Sequence, residues 1–174
     1  MGNNVKSKIE ASLIADWLRD MGLNPTPLPP NGEAAWAFEV ILLSGLKVAV
    51  LGPRRTPRAV VVQAMMLTSA TQLDAFNNLD DESRKDFWCK LRSLLNREFV
   101  EFAIDGTPMV ECPKSFAVFA TRWDDGVTLD SFARSISSIQ KSCLDGTAFF
   151  QEQLGGGAGP ATGGEFGFRK MSLQ

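Results

Sequence analysis

Three apolar stretches, Trp36–Leu43, Lys47–Leu51 and Ala59–Leu67, follow one another with only three and seven residues between them. A parallel crossover takes about a dozen residues or more, so strands joined this closely must run antiparallel. Ser44 and Gly45 supply a tight turn for the first pair, because glycine accepts a positive φ without a steric penalty. The segment from Gly52 to Arg58, with prolines at 53 and 57, joins the second strand to the third. An antiparallel meander is therefore the nucleus around which the rest must arrange itself.

An amphipathic helix precedes it. Ile9, Leu13, Ile14, Trp17, Leu18 and Met21 recur at spacings of three and four over residues Val5–Met21, which places them on one face. Gly22 ends it as a left-handed cap, and the stretch from Asn24 to Gly32, with four prolines, reads as an exposed connection. After the meander a helical region begins near Thr71 and breaks around Asn77 and Asn78. Asp80 caps the longer part, in which Phe87, Trp88, Leu91, Leu94 and Leu95 form an apolar stripe. Two further strands alternate: Phe99–Asp105 with Val100, Phe102 and Ile104 on one face, and Ser115–Trp123 with Phe116, Val118 and Ala120 on one face. A last helix starts at the cap Thr128, buries Leu129, Phe132, Ala133, Ile136, Ile139 and Cys143, and reaches Leu154, with a kink expected at Gly146. The expectation is one α+β domain over residues 1–154, a five-stranded antiparallel sheet with helices packed on it in the order α-β-β-β-α-β-β-α. Residues 155–174, rich in glycine, have little to bury and are expected to form a flexible tail.

The chemistry is constrained mostly by what the sequence lacks. Among 174 residues there is no His and no Tyr. Every His-dependent triad or dyad is excluded, and so is the commonest nitrogen metal ligand. The acidic runs Asp80–Glu82 and Asp124–Asp125 have plainer accounts as helix-dipole and turn chemistry, so no metal and no cofactor is expected. Glycines 159, 163 and 164 suggest a phosphate loop, but Glu165 stands where a Lys would be needed. The three cysteines are odd in number and lack a CxxC pair, which points to a reducing cytoplasm rather than a disulfide framework. Cys89 and Cys143 read as small apolar residues of the helices. Cys112, in a loop before Lys114, is expected to be the more exposed thiol, with Lys114 favouring its thiolate. A net charge of −2 argues against a nucleic-acid binder, and no apolar run is long enough for a membrane span. A non-enzymatic protein is expected. The surface features left as candidate contacts for a partner are the basic loop of Arg54, Arg55 and Arg58 and the strand-flanking aromatics Trp36 and Trp123. The alternative is a small-ligand binder or enzyme built from carboxylates and arginines, with Asp124, Asp125 and the arginine loop as its groups.

The element order, together with the stretch Leu79–Leu95 running into Phe99–Phe102 and the stretch Trp123–Thr128 followed by Phe132 and Ile139, resembles an uncharacterised family of archaeal and bacterial domains. That family has a fold like the type III secretion chaperones. The resemblance implies no catalytic residues. It implies a binding module for a protein partner or client, homodimeric through the second helix and fourth strand.

Overall fold

The computed structural model describes residues 9–29, 32–96 and 100–156. The tail expected over residues 155–174 lies almost wholly outside the described residues. The described residues form four helices and six strands: α1 (Ala11–Asp20), β1 (Thr26–Pro27), β2 (Ala34–Ile41), β3 (Lys47–Pro53), β4 (Ala59–Leu67), α2 (Ala70–Asn77), α3 (Asp81–Leu95), β5 (Glu101–Asp105), β6 (Ser115–Trp123) and α4 (Leu129–Leu154). The strands form one antiparallel sheet in the order β1-β2-β3-β4-β6-β5. The sheet thus has six strands and not five. The extra one, β1, lies in the proline-rich connection and pairs Thr26 with Glu39 and Pro27 with Phe38. Proline is tolerated there because an edge strand need not donate on its outer side.

All four helices lie on one face. Val40, Val48, Val50, Val60, Val62, Ala64, Met66, Phe116, Val118 and Ala120 point into that layer and meet Ile14, Leu18, Phe87, Leu91, Phe132 and Ile139 from the helices. A chain of rings ties the layer together: Phe87 lies 5.3 Å from Phe76 and from Phe150, and Phe150 stacks on Phe116 at 5.5 Å. Fully burying one such side chain is worth about 1.5–3 kcal/mol, so this cluster holds α2, α3, α4 and β6 as one body. The expected kink is absent. α4 runs unbroken through Gly146, where a Cβ would stand 3.0 Å from the Phe116 ring, so glycine serves close approach and not a bend.

The helix starts follow cap chemistry. Ser69 and Gln72 form a capping box at α2, and Thr128 and Ser131 another at α4. At α3 the Asp80 carboxylate accepts from the Ser83 amide at 2.7 Å, and that hydrogen bond holds its pKa below the usual carboxylate range.

One irregularity decides which way β2 presents its side chains. The register shifts between Ala34 and Trp36, so Trp36, Phe38 and Val40 face the helices while Ala34 and Ala37 both face away. Trp36 pairs with Gly52, and its indole covers that residue so closely that a Cβ on Gly52 would lie 2.3 Å from Trp36 Cε2. Gly52→Ala is therefore expected to lower stability by about 1–3 kcal/mol in urea unfolding, the usual cost of overpacking. Shrinking the indole as well, in Gly52→Ala with Trp36→Leu, should recover part of that loss relative to the two single changes summed.

Candidate functional site

No described helix packs against the opposite face of the sheet. Ala34, Ala37, Leu51, Val61 and Phe119 form a second apolar cluster to which no described helix contributes, with Leu28 packed at its margin next to β1. Val61 and Phe119 are only 6% and 8% exposed, with no described helix in their cluster. A cavity of about 200 Å³ opens on this face between β3, β4, β6 and β5. Leu51, Val61, Met65, Ala103, Ala117 and Phe119 supply its apolar lining, and Gln63, Thr121 and Ser115 its polar one. Arg55, Thr56 and Glu33 stand at one end, and Asp105 at the other.

The basic loop closes the first end. Arg54 donates from its amide to the Glu33 carbonyl at 2.7 Å and from its guanidinium to the Ala34 carbonyl at 3.3 Å, which fixes the loop against the start of β2. Arg55 is exposed at the cavity mouth and makes no ion pair with a described residue. Arg58 turns away and grips Asp124 with two hydrogen bonds, Nε to Oδ2 at 2.6 Å and Nη2 to Oδ1 at 2.7 Å. That pairing raises the Arg58 pKa above its ordinary value. The Asp124 amide also donates to the Arg58 carbonyl at 2.8 Å. The loop between β3 and β4 is thus clamped to the turn after β6, and the candidate carboxylate Asp124 is spent on this clamp while Asp125 is exposed beside it. Trp123 is half exposed at the end of β6, and Trp36 lies on the helical face, over Gly52. The candidate residues therefore divide: Arg54, Arg55 and Arg58 share one loop, Trp123 stands nearby, and Trp36 faces the other layer.

Two cysteine expectations are corrected. Cys112 is buried, and desolvation pushes its thiol up to about 12, the opposite of an activated thiolate. Cys143 is buried and pushed up to about 12 for the same reason. Cys89, read as a core residue, is exposed, because it sits one position past the buried Trp88 on α3. Among the described residues, no group of three Cys, Asp or Glu is placed to hold a metal ion. No described helix is long and apolar enough to cross a membrane.

The floor residues Val61, Gln63, Met65, Ala103, Ala117 and Phe119 were not singled out by sequence. The signal was present, since each lies one position off the core stripe of its strand.

A family described as "Uncharacterized conserved protein (DUF2299)" matches residues 10–150. Among solved structures, an uncharacterized protein from Methanothermobacter thermautotrophicus is similar at 23% identity and a TM-score of 0.75, covering 83% of this chain and 98% of that one. A chain of the ExsC–ExsE complex is similar at 17% identity and a TM-score of 0.44, covering 82% and 91%. A chain of the HopA1–SchA chaperone–effector complex is similar at 7% identity and a TM-score of 0.47, covering 75% and 86%. No curated protein matches the sequence.

The thiols give a direct check. At pH 8 a disulfide reagent should label one cysteine of the folded protein, Cys89, and all three after unfolding. The same burial sets a pH dependence. A thiol whose folded pKa is raised stabilises the fold while it stays neutral in both states. That stability should fall as pH climbs past about 9, where the unfolded thiols ionise, and continue falling towards 12. Urea midpoints at pH 8 and pH 10 measure it, and Cys143→Ala should flatten the slope.

Proposed function

The chain belongs to the family of uncharacterized conserved proteins that matches its residues 10–150, and from that premise we propose that it is a non-catalytic protein-interaction module of the cytoplasm. It receives a protein partner on the helix-free face of its sheet. The observation that carries this reading is the apolar cavity on that face, whose floor residues Val61 and Phe119 belong to a cluster to which no described helix contributes. A monomeric domain normally covers such a surface or uses it. In this reading Arg55, which lines the cavity, is a direct contact, Arg54 and Arg58 hold its loop in place, and Trp123, half exposed at the end of β6, is a further contact beyond the cavity. Trp36 acts from the other layer by fixing where β2 turns its alanines outward.

The absence of His removes the usual general base, and the Arg58–Asp124 clamp leaves that carboxylate engaged. These points favour binding over a carboxylate-and-arginine active site. The same reading includes a homodimer through α3 and β5, supported by the position of β5 at the edge of the sheet, where one side of its backbone has no described strand beside it.

A photocrosslinker at Ala117, on the open face, should capture a stoichiometric protein from the source lysate. The same group at the exposed Asp86 of α3 should not. Equal capture at both positions, or none at Ala117, contradicts the assignment. Light scattering on the purified protein should return twice the chain mass of 19.0 kDa. A strict monomer at all concentrations sinks the dimer and leaves the open-face reading standing.

A further inference from the structure

We infer that the cavity between β3, β4, β6 and β5 is a binding site for a small monocarboxylate with an unbranched apolar chain, its carboxylate held at the Arg55 end. Such a ligand lies in the recess of the sheet itself and needs no protein partner on that face.

The head of the ligand is set by the polar groups. Arg55 is exposed at the cavity mouth and pairs with no described residue, so its guanidinium fork is open to both oxygens of a carboxylate. Thr56 lines the same end, and its hydroxyl oxygen is buried with no hydrogen-bond partner among the described residues. A buried hydroxyl left unpaired costs stability that a ligand oxygen recovers, and one χ1 rotation moves it between staggered positions. Thr121, opposite Val61, and Gln63, opposite Phe119, follow along the strands. Neither side chain hydrogen-bonds to a described residue, and both a hydroxyl and a carboxamide donate to carboxylate oxygens. Glu33 lines that end too and lowers its net positive charge, which suits a monoanion better than a doubly charged phosphate. Asp105, at the far end, already holds an interaction of its own and has no part in the site.

The body of the ligand is set by the rest of the lining. Past Gln63 the cavity is walled by Phe119, Met65, Ala117 and Ala103. Leu51, Val61 and Phe119 are buried, as the base of a recess is, while Gln63, Met65 and Ala117 are partly exposed and Ala103 is exposed, so the recess opens to solvent. Its volume of about 200 Å³ exceeds the roughly 150 Å³ that houses one benzene ring. The recess is also long. Val61 and Met65 stand four residues apart, about 13 Å at roughly 3.3 Å each, which suits a chain of about eight carbons better than a ring. Ala103 and Ala117 pair directly across β5 and β6, and their small side chains leave room for that chain. An apolar cavity with a few polar groups gathered at one end is the usual form of a small-ligand site.

Isothermal titration of the full chain with octanoate tests the site. Affinity should rise about fourfold per added methylene from hexanoate to octanoate, the gain from burying one CH₂ group. Octanol and octylammonium, which keep the chain but lose or reverse the charge, should bind more weakly. Arg55→Gln should weaken octanoate about two- to fivefold, as for an exposed ion pair, and leave octanol unchanged. Thr56→Val, which keeps the shape and removes the hydroxyl, should weaken octanoate about two- to tenfold. Ala117→Trp, whose ring fills the cavity, should abolish binding, and Ala117→Leu should weaken it in a milder variant with a wild-type thermal midpoint. In the unaltered protein octanoate should shift the Met65 methyl resonance and leave that of Met66 in place.

Octanol binding as tightly as octanoate, or octylammonium more tightly, overturns the carboxylate end. Octyl phosphate binding more tightly overturns the monoanion, and phenylpropionate binding more tightly overturns the chain. Binding of none of these probes, an unmoved Met65, or binding indifferent to both Ala117 variants overturns the site itself. The interaction-module reading fails separately: it falls with the Ala117 crosslink, whether or not octanoate binds.

Discussion

Nine consecutive residues of β4 pair with nine of β6 in one register, from Ala59 opposite Trp123 to Leu67 opposite Ser115. The two strands are separated in the chain by α2, α3 and β5, so this ladder is the long-range contact on which the rest of the sheet depends. A slip of β4 by one residue would send Val60, Val62 and Met66 to the open face and Val61, Gln63 and Met65 under the helices. The alternation settles the matter. The helical side takes the larger apolar side chains, and Arg122 on that side donates to Ser135 of α4 at 2.8 Å, so that its charge sits against a hydrogen-bonding partner. The same register that builds the core also sets which residues form the second apolar cluster on the other face.

Two devices keep that face open and shaped. The irregularity between Ala34 and Trp36 turns two alanines outward and drives an indole onto Gly52, so the open side of β2 is small-residued while its inner side is bulky. The Arg58–Asp124 clamp holds the β3–β4 loop at one end of the cavity and leaves Arg55 to face it. An exposed ion pair by itself contributes little to stability. Its consequence here is positional, because the Arg58 carbonyl and the Asp124 amide are bonded as well and the loop is held at two levels.

Much of this was legible in the sequence, for definite physical reasons. Alternation in β6 and the apolar periodicity of α3 fixed their inner faces, and the caps Asp80 and Thr128 marked helix starts through local hydrogen bonds that need no tertiary context. β1 was illegible because two residues, one of them proline, carry no periodicity and exist as a strand only through pairing with β2. Cys112 and Cys89 exchanged environments for a similar reason. A loop residue can be folded under a neighbouring element, and a helix position one step past the stripe is turned outward. Of the candidate site, the arginine loop and Trp123 were visible as isolated charges and a flanking aromatic. The floor was not, because Ala59–Met66 is apolar on nearly every position, and a strand apolar on both sides does not say which side lacks a helix.

The central claim is that the face defined by the odd-numbered residues of β4 binds a partner while the even-numbered face stays sealed. Met65 and Met66 are adjacent in sequence and on opposite faces, so methionine-methyl NMR separates the two directly. On adding the protein captured through Ala117, the Met65 methyl resonance should shift or broaden while Met66 stays within its free-state position. An unmoved Met65 at saturation would contradict the account.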